Sequence, residues 1–296
     1  MGDRAFRTKL LLAFAAVYLI WGSTYLAIRY AVETLPPFSM ASARFLVAGA
    51  LLFAVARLRG AAAPTPRMWR DTAIVGSLML LGGNGLVTWA EQKVPSGIAA
   101  LIIACVPLCM VLLQRRVPGR REGLGLAGGL VGIALLVGKP GSSGSIDLLG
   151  AGALVVASMS WAIGSLFSRR ATLPESGVLA TGMEMLGGGT ALGIVAFLRG
   201  EPAGFDLGAV STVSWLSLVY LVVFGAIVGY SAYMWLLSAT TPARAATYAY
   251  VNPVVAVFLG WAVAGEALTG RTVAAAAVIV VSVALIVSAP SRSRGR

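Results

Sequence analysis

Two tryptophans 140 positions apart, Trp21 and Trp161, each lie near the centre of a long apolar run, too deep for the aromatic belts that mark membrane–water boundaries. Around the first, Tyr18, Trp21, Gly22 and Tyr25 recur at i, i+3, i+4 and i+7, the spacing of one helical face. Ser158, Trp161 and Ser165 take the same relative positions around the second. Other apolar runs carry Asn84 and Thr88, Tyr230 and Tyr233, and Tyr248 and Asn252, the Asn-containing pairs one turn apart. A polar side chain in hydrocarbon needs a protein partner or a water-filled cavity, so such residues either line a binding pocket or bond helix to helix. Aromatic rings with a few polar groups suit a broad pocket for neutral or aromatic small molecules. The candidate binding set is Tyr18, Trp21, Tyr25, Asn84, Trp161, Ser165, Tyr230, Tyr248 and Asn252.

Glu184 is the one carboxylate placed well inside an apolar run, and any proton coupling has to consider it, with structural hydrogen bonding as the competing role. Its counterpart at the 140-residue offset is Arg44. Each lies six residues into its run but from opposite faces, about 12 Å apart along the membrane normal, which argues against a salt bridge. Pro107 and Pro253 fall inside two further runs, where a missing amide and a ring clash bend a helix, either as gating kinks or as static bends. Gly125, Gly128, Gly129 and Gly132 read as close helix packing. Cys105 and Cys109 lie one turn apart, but with no His and no third thiol they read as core filling. No metal site and no cofactor are expected.

The elements that position these groups are membrane helices. Of 296 residues 58% are apolar and 11% charged, far below the roughly 25% charge of a soluble domain. Apolar runs occur near residues 8–28, 38–57, 72–90, 96–114, 123–138, 148–168, 178–198, 214–237, 243–263 and 271–288. They show no alternation of a barrel strand. The basic residues fall unequally between alternate connections. Arg57, Arg59, Arg67, Arg70, Arg115, Arg116, Arg120 and Arg121 crowd one side, with only Arg29, Lys93, Lys139, Arg199 and Arg271 on the other. By the positive-inside rule both termini are cytoplasmic. The net charge of +12 is thus a topology signal, dispersed over short loops, and does not indicate nucleic-acid binding.

At the same offset Leu26 matches Leu166, Arg29 matches Arg169 and Ala31 matches Ala171, while Pro95 and Pro107 answer to Pro242 and Pro253. Two five-helix halves, 1–140 and 141–296, form one integrated membrane domain, and with five helices each the second enters the membrane inverted. Inverted repeats are an architecture of secondary transporters that bind substrate between the halves. The expected fold is all-α, ten transmembrane helices in two inverted-topology repeats.

The segments Trp21-Gly22-Ser23-Thr24, Arg44-Phe45, Pro107, Asn252-Pro253 and Gly265-Glu266 resemble the EamA family of the drug/metabolite transporter superfamily, over nearly the whole chain. Within it the chain is most similar to the bacterial aromatic amino-acid exporters. The resemblance implies export of small metabolites from the cytoplasm across a bacterial inner membrane, with aromatic or neutral amino acids as cargo and membrane lipid as the surroundings. Glu266 has no first-half equivalent, so the acid does not serve two symmetric sites. An enzyme acting on lipid-linked substrates would need nucleophiles or acid–base pairs clustered at a membrane face, and the sequence has none. A phosphate-binding Gly-rich loop is absent too, which disfavours a nucleotide-driven pump. A channel, or a flippase for lipid or cationic drugs, is the alternative.

Overall fold

A computed structural model describes residues 3–113, 119–137, 147–203, 205–240, 245 and 247–287. Arg115, Arg116, Lys139 and Pro242, used above for charge and repeat, lie outside them. Among the described residues the chain is all-α. Among those residues seven helices are long and apolar enough to cross a membrane: α1 (Ala5–Ala31), α2 (Pro37–Leu58), α3 (Pro66–Ala90), α4 (Ser96–Leu113), α6 (Leu148–Ser168), α7 (Gly177–Leu198) and α8 (Thr212–Ala239). The chain is a multi-pass membrane protein. Three further helices, α5 (Arg120–Val137), α9 (Tyr248–Ala264) and α10 (Gly270–Val287), hold shorter apolar stretches. Large side chains such as Leu58, Phe197 and Leu198 face outward, as a lipid solvent requires.

Helix starts are fixed by short side chains that accept from unpaired amides: Thr65 for α3, Asp147 for α6, Ser176 for α7 and Ser211 for α8. Two carboxylates cap starts from a distance. Glu201 accepts from the amides of Phe38 and Ser39 at 3.2 and 2.7 Å at the head of α2. Glu266 accepts from the amides of Ser96 and Gly97 at 2.8 and 3.1 Å at the head of α4, and also pairs with Arg29 of α1. Gly265, at φ 65°, closes α9 with a left-handed turn that brings Glu266 back to that position.

Packing brings α2, α4 and α5 against the helices about 140 residues further along the chain, but not α1 against α6 or α3 against α8 to any comparable extent. The most extensive contact is α2 against α7; α3 lies along both α6 and α7, α5 packs against α10, and α4 packs on α9. At the α2–α7 seam a methyl group added to Gly49 would stand 2.9 Å from the Gly182 carbonyl oxygen, so the two backbones touch. Gly128 and Gly132 of α5 face Ser282 and Ile279 of α10, and Gly129 faces Leu108 of α4. Close approach of this kind replaces the hydrophobic drive that lipid removes.

Three helices are locally underwound, with backbone bonds five residues apart: Ala16–Ile20 in α1, Ser77–Gly85 in α3 and Leu221–Tyr230 in α8. Wide turns tilt carbonyls outward, and in each case a side chain from another helix reaches one. Asn252 of α9, its amide oriented to suit its neighbours, donates to the carbonyls of Tyr18 and Val17 at 3.1 and 3.3 Å. Ser160 of α6 donates to the Leu78 carbonyl at 2.7 Å, and Trp21 Nε1 to the Gly225 carbonyl at 3.2 Å. Pro107 does not sit within a continuous helix: α4 is two pieces, Ser96–Ile103 and Val106–Leu113, and Pro107 is the second residue of the latter, where its missing amide is harmless. Pro253 is inside α9. Trp69, Trp215 and Trp261 are exposed, as belt residues are.

Candidate functional site

The wide turns of α3 and α8 and the part of α1 just beyond its own surround a small cavity that opens to one side. Its walls come from both halves. Trp21, Thr24, Tyr25 and Ile28 descend one face of α1, Arg44 and Phe45 come from α2, and Leu80, Gly83, Asn84 and Val87 from α3. Ile103, Ala157, Trp161, Gly225, Tyr230 and Tyr248 complete it from α4, α6, α8 and α9. Along α1 the lining runs from Trp21 to Ile28, about 10 Å at 1.5 Å per residue.

One end is aromatic. Trp21 and Trp161 meet edge to face with ring centroids 5.5 Å apart, and Tyr248 stands at 5.5 Å from Trp21, also edge to face. Tyr233 closes the cluster from behind, 5.0 Å from Trp21 and 5.8 Å from Trp161, with its hydroxyl 3.1 Å from Ser165 Oγ. Edge-to-face contacts match the positive rim of one ring to the negative face of the next. Both indoles need glycine beneath them. A methyl group on Gly83 would stand 2.8 Å from Trp161 Cε3, and one on Gly229 would stand 2.5 Å from Trp21 Nε1.

The other end is polar. Arg44 is 3% exposed, and its Nη1 reaches Asn84 Oδ1 only at 3.5 Å, a weak contact. Its Nε has no hydrogen-bond partner, and its guanidinium lies over the Phe45 ring at 4.7 Å. Thr88 shares the same amide oxygen at 3.4 Å and bonds its own helix at the Asn84 carbonyl. Among the described residues no carboxylate is within salt-bridge distance of Arg44. Glu184 is 0% exposed and stands one residue behind the wall: Tyr230, which lines the cavity, donates its hydroxyl to Glu184 Oε2 at 3.0 Å, while Oε1 has no partner.

Six of the nine residues singled out from sequence thus share this cavity: Trp21, Tyr25, Asn84, Trp161, Tyr230 and Tyr248. The other three do not line it. Tyr18 bonds Thr247 at 2.5 Å, because the wide turn at Ala16–Ile20 breaks the 3.6-residue phase and rotates it away from the face of Trp21. Asn252 is spent on the carbonyls of that turn, and Ser165 supports Tyr233. Sequence reasoning missed Arg44 and Thr24 as lining groups; a lone cation within an apolar run was the available signal.

The EamA-like transporter model matches the chain twice, at residues 8–138 and 148–288. The chain belongs to the EamA-like transporter family. Among relatives of this EamA-like transporter, the inner membrane transporter YedA of Escherichia coli (strain K12) is 44% identical over 279 residues, covering 93% of this chain and 89% of that one. The WAT1-related protein At3g02690, chloroplastic, of Arabidopsis thaliana is 26% identical, covering 91% of this chain and 67% of that one. A solved crystal structure with 22% identity superposes with a TM-score of 0.66, covering 94% of this chain and 97% of the other, a likeness of fold. The EamA-like transporter is a small-molecule secondary transporter. Among the described residues no group of three or more His, Cys, Asp or Glu is placed to hold a metal.

Proposed function

We propose that this transporter exports aromatic or neutral amino acids and similar small metabolites by alternating access. The observation that carries the reading is the meeting of Trp21 and Trp161, equivalent positions of the two halves, at 5.5 Å in the wall of one cavity. In this reading ten membrane helices form two inverted five-helix repeats, 1–140 and 141–296, within a bacterial inner membrane, with both termini cytoplasmic. The double match of one family model and the pairing of α2 with α7 and α5 with α10 support the repeat. A site built at the boundary of two like halves can be exposed to either side by rocking one half against the other. The apolar, aromatic end accommodates a ring or an aliphatic chain.

The test is uptake of a radiolabelled amino-acid panel into proteoliposomes, with unlabelled competitors and with or without an imposed pH gradient. Saturable counterflow of aromatic or neutral amino acids is expected. Flux of none of them through folded protein overturns the cargo and moves attention to cationic drugs or lipid.

A further inference from the structure

A guanidinium inside a membrane protein is held at a cost of several kcal/mol unless an opposite charge or a full set of acceptors compensates it. Arg44 has neither. It is 3% exposed, its Nε has no partner, and its one acceptor is the Asn84 amide oxygen at 3.5 Å. It does not turn away from the cavity to mend this; it lines it. The surrounding residues make room for the charge without placing a carboxylate against it. Gly225 is the place on α8 where a side chain would collide, since a methyl group there would stand 2.7 Å from Arg44 Nη2. The carbonyl of the same Gly225 accepts from Trp21 Nε1 at 3.2 Å, so indole and guanidinium flank one residue.

We propose that Arg44 is the anion-recognition residue of the cavity and that the cargo carries a carboxylate a few bonds from an apolar or aromatic body. The inference rests on the cavity being the substrate site and deepens it by naming the group that is read. Guanidinium offers a planar pair of donors that matches a carboxylate, and it stays charged in a site where lysine could lose its proton. The Trp21–Trp161 cluster receives the body while Arg44, with Asn84 beside it, receives the acid. A free amine or a neutral amide of the same shape leaves the guanidinium uncompensated.

The test is ligand binding to the purified full-length protein, read by quenching of tryptophan fluorescence and by thermal shift. The probes are L-phenylalanine, 3-phenylpropionate, phenylalanine amide and phenethylamine. Wild-type protein should bind the two acids at least about tenfold more tightly than the amide and the amine, the scale of one charge-assisted hydrogen bond. Arg44→Gln should abolish that preference, and Arg44→Lys should keep part of it. Gly225→Ala, which pushes the guanidinium aside from another helix while residue 44 stays arginine, should weaken the acids and spare the amine. Equal binding of acid and amide by wild type, or a preference unchanged in Arg44→Gln and Gly225→Ala, overturns the proposal. The two readings separate cleanly. Arg44-dependent binding of 3-phenylpropionate with no amino-acid flux supports the residue and rejects the amino-acid cargo. Amino-acid flux that Arg44→Gln leaves intact does the reverse.

Discussion

Two glycines decide where the paired indoles stand, which allows the aromatic end of the cavity to be displaced without deleting it. A methyl group at position 229 would lie 2.5 Å from Trp21 Nε1 and 2.8 Å from Cδ1. Ordinary contact is about 3.5 Å, so the indole must withdraw by about 1 Å, away from its acceptor at Gly225. A methyl group at position 83 would press on Trp161 at 2.8 Å. Overpacking of this size costs about 1–3 kcal/mol, so saturable flux should fall about fivefold or more in Gly229→Ala, with a smaller loss in Gly83→Ala. Gly152→Ala on α6 is the control, because a methyl group there meets nothing within 4 Å. Flux and tryptophan emission would be measured in proteoliposomes at matched protein content. Flux in Gly229→Ala equal to that of Gly152→Ala, with an emission shift showing that the ring had moved, would refute the idea that the indole's position matters to transport.

Trp161→Ala should reduce amino-acid flux far more than Trp261→Ala at equal expression, because Trp261 is 51% exposed on α9; equal losses in a counterflow assay would remove Trp161 from the site. Glu184→Gln keeps the hydrogen bond from Tyr230 but cannot release a proton, so if Glu184 couples transport, flux should lose its dependence on an imposed pH gradient while gradient-free counterflow persists. An undiminished pH response would assign Glu184 a structural role. Gly76→Ala places a methyl group on the Glu184 carbonyl oxygen and 2.8 Å from the Gly188 amide nitrogen, so it should wedge α3 from α7 and lower the yield of monodisperse protein in size-exclusion chromatography; a wild-type yield would contradict the packing described.

Apolar runs and their bounding charges made the helices legible, because in lipid length and polarity leave the backbone few choices. The pairing of Trp21 with Trp161 was legible too, since the repeat relates them before any contact is known. Tyr18 and Asn252 were not, for one shared reason: periodicity assumes 3.6 residues per turn, and the wide turn at Ala16–Ile20 suspends that rule between Tyr18 and Trp21. Asn252 is then drawn to the carbonyls that the turn exposes. Arg44 was weighed only against Glu184 at the matching offset, and depth excluded that pair without saying what else faced the charge. Glu266 stood out as part of a motif, but its work as the cap of α4 joins residues 170 positions apart, which no local pattern encodes.

The wide turns also bear on how such a protein can change over generations. A turn closed five residues apart stores more chain than the helix needs to span the same height. Removing one residue between Leu221 and Tyr230 would let α8 tighten toward ordinary winding with little change in overall length. That tightening would offset the rotation of about 100° that a deletion makes in an ordinary helix, so the chain beyond would keep much of its facing and the change would fall within the wide turn. Gly225, which lies between Arg44 and Trp21, would give way to another residue in the wall. Single-residue insertions and deletions at these three segments would therefore change the lining locally and spare the membrane-spanning frame, a route to new cargo that point substitutions do not offer.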